Sequence, residues 1–412
     1  MADARLRTVD EHLAQVLDGI GVVDPIEQPL LDAQGLLLAE SVVSPVPLPG
    51  FDNSSMDGYA VRAVDTKYAS LEDPVTLPVV GDIAAGATSR GGMGPGLAMR
   101  IMTGAPIPTG ADSVIPLEDT DRGVARVAIR RPVRPSECIR RAGEDLAQGQ
   151  PALGSGAALG PQQIALLAAI GRDRVLVRPR PRVVVISTGS ELVEVGQRPG
   201  FGEVSDANSY LIAAAAKDAG ADAWRYGIVR DDHSALLDVL ESQLSRADLL
   251  ITTGGVSMGA FDVVKQALTE LGTVEFTKVA MQPGKPQGFG HLGNGVPIFC
   301  LPGNPVSALV SFEVFVRPAI RKLLGKRNLQ RSTVQAAALE RIESPAGTRQ
   351  FRRGVLHREA TGGYSVSLVG GPGSHLIASM ASSNCLVVID EEVTEVVAGA
   401  RCTVIPLLLS NR

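Results

Sequence analysis

Residues 182–324 alternate between short apolar runs and helical patterns, and this alternation constrains the fold more than any other feature of the sequence. Strand-like runs cover 183–186, 224–229, 249–252, 274–279 and 297–301, and helical patterns cover 208–219, 233–246 and 261–271. Asn304-Pro305 suits the start of a further helix that is expected to reach about Leu324. The pattern therefore predicts a central doubly wound α/β domain over 180–327.

The rest of the chain is predicted to add three pieces to a multidomain α/β plus β protein. A capping box at Thr8, with helical spacing over 9–20, near 30–41 and over 161–170, predicts a helical linking domain made of 1–48 and 145–179. We expect its first and last helices to pack together. Short β-rich runs between Gly and Pro turns predict an inserted β domain over 49–144, and renewed β-alternation predicts a C-terminal β-barrel-like domain over 328–412.

Composition limits the possible partners. A net charge of −5 and an aromatic content of 4% argue against nucleic-acid binding. The four cysteines form no C-x-x-C pair and the histidines form no H-x-x-x-H pattern, so no zinc site is expected. The sequence has neither a signal-peptide pattern nor the run of about 18–20 apolar residues that a membrane helix needs, so we expect a cytoplasmic protein without membrane insertion.

The turns that follow the predicted strands are rich in Gly, Pro and small polar residues. They read Ser187-Thr-Gly-Ser-Glu191, Gly254-Gly-Val-Ser-Met-Gly259, Pro283-Gly-Lys-Pro286 and Leu301-Pro-Gly-Asn-Pro305. Such turns meet at one edge of an α/β sheet, and their glycines let backbone N–H groups approach an anion. Lys278 and Lys285 add two positive charges. The edge is predicted to hold a ligand with several negative oxygens, although each turn alone is equally consistent with an ordinary strand-to-helix connection.

Three carboxylates, Glu191, Asp231 and Asp262, come just after predicted strands. The commonest role of an aspartate in such a place is to cap a helix. Three carboxylates converging opposite two lysines exceed what capping requires. We therefore predict a Mg²⁺ ion held by one or two of these side chains together with substrate phosphates.

Two further clusters flank the inserted domain. Phe51-Asp-Asn-Ser-Ser-Met-Asp-Gly-Tyr-Ala60 is dense in oxygen ligands, and Arg140-Arg-Ala-Gly-Glu-Asp145 places a carboxylate after two arginines. The first is also what an Asx-rich turn looks like, and the second is also typical of an exposed ion pair. Spacing alone leaves both interpretations open.

Seven motifs, in order along essentially the whole chain, resemble the MoeA family, which comprises the bacterial molybdopterin molybdotransferases and the homologous E domain of gephyrin. The motifs are Met56-Asp-Gly-Tyr-Ala60, Arg100-Ile-Met-Thr-Gly-Ala-Pro106, Ile139-Arg-Arg-Ala-Gly-Glu-Asp145, Ser187-Thr-Gly-Ser-Glu-Leu192, Gly254-Gly-Val-Ser-Met-Gly259, Pro283-Gly-Lys-Pro286 and Leu301-Pro-Gly-Asn-Pro-Val-Ser-Ala308. The resemblance implies an elongated four-domain subunit with a MogA-like α/β domain, in a homodimer whose site lies between subunits. It also implies the reaction, in which molybdate displaces AMP from adenylylated molybdopterin with the help of Mg²⁺.

The resemblance assigns roles by motif position. The catalytic residues would be Asp57, Asp145, Glu191, Lys278 and Lys285. The substrate-binding residues would be Thr103, Thr188, Gly254, Gly255, Ser257, Pro302 and Pro305, and the metal ligands would be Asp231, Asp262 and Glu191. A molybdopterin adenylyltransferase is the implied partner that delivers the substrate.

The sequence departs from the family pattern at three positions. Gln282 stands where the family usually has a lysine, Ala260 replaces an acidic residue and Val263 replaces an aromatic one. Arginines 349, 352 and 353 are candidates to supply replacement charge. The departures leave open an alternative function, a gephyrin-like dimeric scaffold that binds a peptide of a cytoskeletal or membrane-receptor protein. The related adenylyltransferases are less compatible, because they typically show Thr-Gly-Gly-Thr-Gly where this chain has Val256-Ser257 after its two glycines.

Overall fold

The computed structural model describes residues 6–87, 91–255, 263–270, 273–293, 295–360 and 362–407. The chain divides into two compact units, a larger one made of Met1–Ile26 with Arg178–Arg412 and a smaller one made of Glu27–Val177.

A six-stranded mixed sheet forms the centre of the larger unit. Its strands, in spatial order, are Asp222–Val229, Arg182–Thr188, Leu249–Thr253, Val296–Leu301, Pro286–Leu292 and Val274–Lys278. The first four run parallel, Pro286–Leu292 runs antiparallel to its two neighbours, and Val274–Lys278 therefore has the direction of the first four. The helices are Val9–Asp18, Asn208–Ala219, His233–Gln243, Val263–Glu270, Pro305–Ser311 and Arg317–Leu323, the last two joined by a π-helical turn over Phe312–Val316. The predicted α/β domain is confirmed.

Helices cover both faces of this sheet because strand Arg182–Thr188, the second in the order, is apolar on both sides. Val183 and Val185 belong to one core cluster, and Val184 and Ile186 belong to the other. Successive side chains of a strand point to opposite faces, so an unbroken apolar run is typical of a strand buried between two helical layers.

The first helix packs on this sheet. Val9, Leu13 and Val16 lie in the same core cluster as Val183, whereas Leu167 of helix Pro161–Ala169 lies in a cluster of the smaller unit. The two helices therefore contribute to different hydrophobic cores, and their packing together stays a prediction. The predicted capping box is confirmed, because Glu11 N–H donates to Thr8 Oγ1 at 3.1 Å and Thr8 N–H donates to Glu11 Oε2 at 2.8 Å.

The larger unit ends in a closed five-stranded barrel, as predicted. Its strands are Val334–Ala338, Arg349–Arg358, Tyr364–Leu368, Cys385–Ile389 and Arg401–Pro406. The barrel closes because Arg349–Arg358 pairs on both sides, with Tyr364–Leu368 and with Cys385–Ile389. A short strand of the α/β region, Met281–Gln282, pairs in parallel with the start of Arg349–Arg358. The remaining short elements are strands Leu192–Val193, Val204–Ser205, Ile342–Glu343 and Glu395–Val396 and helix Ile377–Ala381.

The smaller unit contains the predicted inserted β domain. Its five-stranded sheet has the order Ser113–Pro116, Gly58–Val61, Ala98–Ile101, Val75–Ile83 and Arg126–Ile129. The other elements are strands Ile26–Pro29, Leu37–Leu38, Val42–Val43, Asn53–Ser54, Ile139–Arg140, Pro151–Leu153 and Arg174–Arg178, 3₁₀ turns Ala63–Thr66 and Leu117–Asp119, and helix Pro161–Ala169.

The predicted helix near residues 30–41 is wrong. The segment forms turns and the short strand Leu37–Leu38, and Gly35 adopts φ +81°, in the left-handed region. Its backbone bonds to a distant segment, with Gly35 N–H donating to the Leu159 carbonyl and Leu38 N–H to the Ala157 carbonyl. Apolar residues at helical spacing here fill the core of a small β region. No helix in the described part of the chain is long and apolar enough to cross a membrane.

Candidate active site

A cavity of about 970 Å³ opens at the carboxyl edge of the parallel strands in the larger unit. It is lined by the turns that follow three of them, at Thr188–Glu191, Thr253–Gly255 and Pro302–Pro305, and by Pro286. The predicted convergence of these turns is therefore confirmed. Other lining residues come from a wall at Val204–Asn208 and from Ile377.

Gly254 allows two of these turns to touch. Its N–H donates to the Leu301 carbonyl at 3.1 Å, and Thr188 Oγ1 donates to the Thr253 carbonyl at 3.3 Å. A Cβ atom at Gly254 would lie 2.3 Å from the Thr188 carbonyl oxygen, and its φ of +97° is one that residues with side chains rarely adopt. The cavity floor is thus backbone packed against backbone.

Two helices begin at the cavity. Helix Asn208–Ala219 starts at its wall, and helix Pro305–Ser311 starts directly after the Pro302–Asn304 turn. Asn208 Nδ2 donates to the Gly303 carbonyl at 2.6 Å and so ties the two starts together. Some of their first N–H groups are used within the chain, since Ser209 N–H donates to Asp206 and Val306 N–H to the Ser374 carbonyl, but the helix dipole makes such ends favourable for anions. This edge of the sheet therefore suits phosphate oxygens.

Glu191 and Asp231 both line the cavity and are exposed in it. Asp231 is held by the first turn, since Ser190 N–H donates to Asp231 Oδ2 at 3.0 Å and Asp231 N–H donates to Ser190 Oγ at 3.2 Å. A Cβ at Gly189 would lie 2.6 Å from Glu191 Oε2, so the Glu191 carboxylate folds back over the turn. The third predicted metal ligand, Asp262, and the predicted substrate residue Ser257 lie outside the described residues.

A metal ion at this place would need ligands besides the described side chains. Within the described ranges, no group of three or more His, Cys, Asp or Glu side chains could hold a metal ion. Two exposed carboxylates are a suitable donor set for Mg²⁺ that is shared with phosphate oxygens.

The two predicted lysines lie on neighbouring strand ends. Lys278 ends the edge strand and pairs with Pro286 in register, and Lys285 directly precedes Pro286. Both lysines are exposed, and only Pro286 of this group lines the cavity. Gln282, in the family's lysine position, is also exposed, and its Oε1 accepts a hydrogen bond from Gln350 Nε2 at 3.0 Å.

The candidate replacement arginines have other partners. Arg349 pairs with Asp10 at 2.9 Å and with Glu391 at 3.0 Å. Arg353 is buried and donates to the carbonyls of Gly371, Gly373 and Leu376. Arg349 and Arg353 therefore stabilise the barrel and its contacts. Arg352 is half-buried, and burial lowers its pKa.

Three predicted site residues lie in the smaller unit. Asp57 Oδ1 accepts hydrogen bonds from Thr103 N–H at 2.7 Å and from Thr103 Oγ1 at 2.8 Å. These bonds, the backbone one foremost, lower the pKa of Asp57. Asp145 is exposed, and its N–H donates to the Leu48 carbonyl at 3.0 Å. Thr103 thus holds the Asp57 carboxylate in place. The functional roles of Asp57, Thr103 and Asp145 stay predictions.

Sequence reasoning missed the wall of the cavity, in particular Asp206 and Asn208. Asp206 is 1% exposed and accepts hydrogen bonds from Ser187, Ser209 and Arg225. Burial raises the pKa of Asp206, but these hydrogen bonds together lower it below its ordinary value. Polar residues directly before a helix were the available signal, since such residues commonly supply caps and anion contacts.

Three family models match the chain. They are described as the MoeA N-terminal region (domain I and II), over residues 7–171, a probable molybdopterin binding domain, over 184–322, and the MoeA C-terminal region (domain IV), over 335–407. Molybdopterin molybdenumtransferase 2 of Mycobacterium tuberculosis is 47% identical, with 97% of this chain and 99% of the relative covered. Molybdopterin molybdenumtransferase 1 of the same organism is 45% identical, with 96% and 97% covered. The crystal structure of the MoeA protein of Pyrococcus horikoshii matches with a TM-score of 0.85 at 32% identity, over 98% of this chain and 100% of that one.

Proposed function

The chain belongs to the MoeA family, and from this premise we propose that it transfers molybdenum to molybdopterin. In the proposed reaction, molybdate and adenylylated molybdopterin give molybdenum cofactor and AMP. The observation that carries the proposal is the cavity at the sheet edge, where glycine turns, two helix starts and two carboxylates meet.

The cavity provides for the phosphate part of such a substrate. Phosphate oxygens can approach the backbone closely at Gly254, Gly255 and the turn from Pro302 to Pro305, because few bulky side chains stand in the way. Thr188 offers a hydroxyl at the same floor. We expect these groups to orient the pyrophosphate ester, so that the reacting groups are held in place and do not have to meet by diffusion.

Glu191 and Asp231 are the residues that would hold Mg²⁺, together with substrate oxygens and Asp262. When bound, the ion supplies charge neutralisation that makes AMP a better leaving group. Lys278 and Lys285 would receive the molybdate dianion, and their exposure at the strand ends leaves their ammonium groups accessible from solvent. Asp57, Thr103 and Asp145 of the smaller unit would complete the family's set.

We also propose that the chain acts as a homodimer. Exposed large apolar side chains between residues 195 and 226 support this, because Phe201 is fully exposed, Val195, Val204, Tyr210 and Tyr226 are each about half exposed, and Val204 lines the cavity. A Phe201→Asp variant is expected to be shifted toward the monomer, as measured by light scattering. It is also expected to lose activity, because the dimer is lost. A monomeric wild-type protein with full activity would contradict this part of the proposal.

The supply of substrate implies a molybdopterin adenylyltransferase as a partner, and we propose a cytoplasmic reaction. The gephyrin-like scaffold alternative is not favoured, because the relatives aligned over nearly their whole length are named as transferases. An adenylyltransferase function is disfavoured by the additional β domain and the barrel.

The test is AMP release from adenylylated molybdopterin in the presence of molybdate and Mg²⁺. Wild-type protein is expected to release AMP only when molybdate is present, and the Mycobacterium tuberculosis relative serves as the positive control. Asp231→Asn and Glu191→Gln are expected to raise the Mg²⁺ concentration needed for half-maximal rate, because each removes one negative ligand. Turnover by the relative without turnover by this chain would refute the proposed function.

A further inference from the structure

A partly buried ion-pair network lies behind the cavity wall and is centred on Arg225. Its guanidinium donates to Asp206 at 3.1 Å, to Glu194 at 3.1 Å and to Ser209 Oγ, and it lies over the Tyr210 ring at 3.9 Å from the centroid. The Arg225 side chain is 19% exposed and that of Asp206 is 1% exposed. Charge-assisted bonds in such a setting are strong and directional.

The network joins segments that are far apart in the sequence. Arg225 lies on the edge strand of the sheet, Asp206 and Ser209 flank the start of helix Asn208–Ala219, and Glu194 follows the short strand Leu192–Val193. Asp206 also accepts from Ser187 Oγ at 2.8 Å, on the strand that leads into the first cavity turn. The guanidinium therefore holds together both the wall and the floor of the cavity.

Asp206 has no capacity left for a ligand. Four hydrogen bonds reach its two oxygens, from Ser187, from the N–H and Oγ of Ser209, and from Arg225. A carboxylate so saturated shapes the site and does not bind a metal ion or substrate, in contrast to the exposed Glu191 and Asp231.

We propose that Arg225 is a positioning residue for the molybdopterin substrate, acting through Asp206 and Glu194 on the cavity wall at Val204–Asn208. The inference rests on the proposed function for the identity of the substrate. A wall that contacts bound substrate and transition state alike affects KM and leaves kcat unchanged. Arg225 thus contributes to substrate affinity without touching the substrate.

The chain offers a matched control in Arg331. Its side chain is 15% exposed and pairs with a buried carboxylate, Glu313 (4% exposed), and an exposed one, Asp218 (57% exposed). Arg225 likewise pairs with buried Asp206 and with Glu194, which is 43% exposed. Neither Arg331 nor its partners line the cavity. Both networks stabilise the same unit, and only one of them supports the cavity wall.

The experiment compares Arg225→Gln with Arg331→Gln at a temperature below the melting transitions of both. Arg225→Gln is expected to raise KM for adenylylated molybdopterin about tenfold with kcat nearly unchanged, and Arg331→Gln is expected to change neither. Arg225→Lys keeps a charge on a flexible stem without the planar fork, so it is expected to recover only part of the loss. Arg225→Lys also replaces Arg225→Gln as the test variant if the glutamine variant does not fold. Equal KM values for the Arg225 variants and Arg331→Gln would overturn the proposal.

Hydrogen–deuterium exchange of the substrate-free protein provides a readout that needs no turnover. The Arg225 variants are expected to exchange faster over residues 187–209, and Arg331→Gln is expected to leave these amides as in the wild type. Unchanged exchange in the Arg225 variants would overturn the inference even if the enzyme is active. If the wild type is inactive but the Arg225 variants still exchange faster, the proposed function is refuted. The role of Arg225 in holding the cavity wall in position is then retained.

Discussion

Replacing Gln282 with lysine would restore the charge that the family usually has at this position, and we expect it to tighten molybdate binding. Gln282 is exposed and lies on the short strand that precedes Lys285. Its amide is held by Gln350, not by a charged group. The native chain therefore presents one positive charge fewer to an arriving dianion.

The size of the effect follows from exposure. Two unit charges 4 Å apart interact by about 1 kcal/mol in water and by about 4 kcal/mol at an effective dielectric constant of 20. Since Gln282 is exposed, the lower figure applies to each unit charge, so a dianion at this separation gives about 2 kcal/mol, which corresponds to about a thirtyfold lower KM for molybdate. Raising the ionic strength shortens the Debye length from about 30 Å at 0.01 M to about 8 Å at 0.15 M, so the gain is expected to shrink with salt.

The assay is the molybdate dependence of AMP release at low and at physiological ionic strength. Gln335→Lys is the matched control, because Gln335 is also exposed with its amide bonded to a neutral side chain, Thr403 Oγ1 at 3.0 Å, but lies on barrel strand Val334–Ala338 and not on the short strand before Lys285. It adds the same charge and is expected to leave the molybdate KM unchanged. A Gln282→Lys variant whose KM at low salt equals that of the wild type, or exceeds it, would refute the electrostatic reasoning.

Three further predictions concern stability and pH. Gly254→Ala is expected to lower the free energy of unfolding by about 1–3 kcal/mol more than Gly196→Ala, measured by denaturant unfolding. The two glycines have nearly the same φ (+97° and +98°), but only a Cβ at Gly254 would press against a carbonyl oxygen. Equal losses of stability would contradict the close contact. Burial lowers the pKa of His12 to about 4. The unfolded chain therefore binds a proton that the folded chain does not, and between pH 6.5 and 5 the wild type should lose about 1.6 kcal/mol of stability that His12→Leu does not lose. Thr103→Val removes one hydrogen bond that lowers the pKa of Asp57, so the acidic limb of the rate profile should move to higher pH, and an unmoved limb would exclude Asp57 as the titrating group.

The sequence predicted those parts of the fold that depend on local pattern. The buried strand Arg182–Thr188 reads as a continuous apolar run, and the turns after it had to meet at one edge once the strands were known to be parallel. The same reasoning failed near residues 30–41, where apolar residues at helical spacing pack into a small β region. There the Gly35 conformation and hydrogen bonds to residues 157 and 159 override the periodic pattern.

The arginine network behind the cavity wall was beyond prediction for a different reason. Arg225 lies 19 residues from Asp206 and on another element, and in the sequence it looks like any arginine on an edge strand. Only the folded chain brings its guanidinium to a carboxylate that is already bonded to two serines. Likewise, the barrel arginines at 349 and 353 looked available for a ligand until their carboxylate and carbonyl partners were known.

The acidic residues of the cavity illustrate what separates a structural carboxylate from one available for chemistry. Each oxygen of a carboxylate accepts about two hydrogen bonds, and a ligand can bind only where the fold has left acceptor capacity. Asp206 uses that capacity on donors of its own chain, and its burial makes any unpaired oxygen costly. Glu191 and Asp231 stay exposed in the same cavity, so solvent satisfies them until a ligand arrives. All three are acidic residues that line the same cavity. The donors around each one therefore decide that Asp206 builds the site, while Glu191 and Asp231 keep acceptor capacity for a ligand.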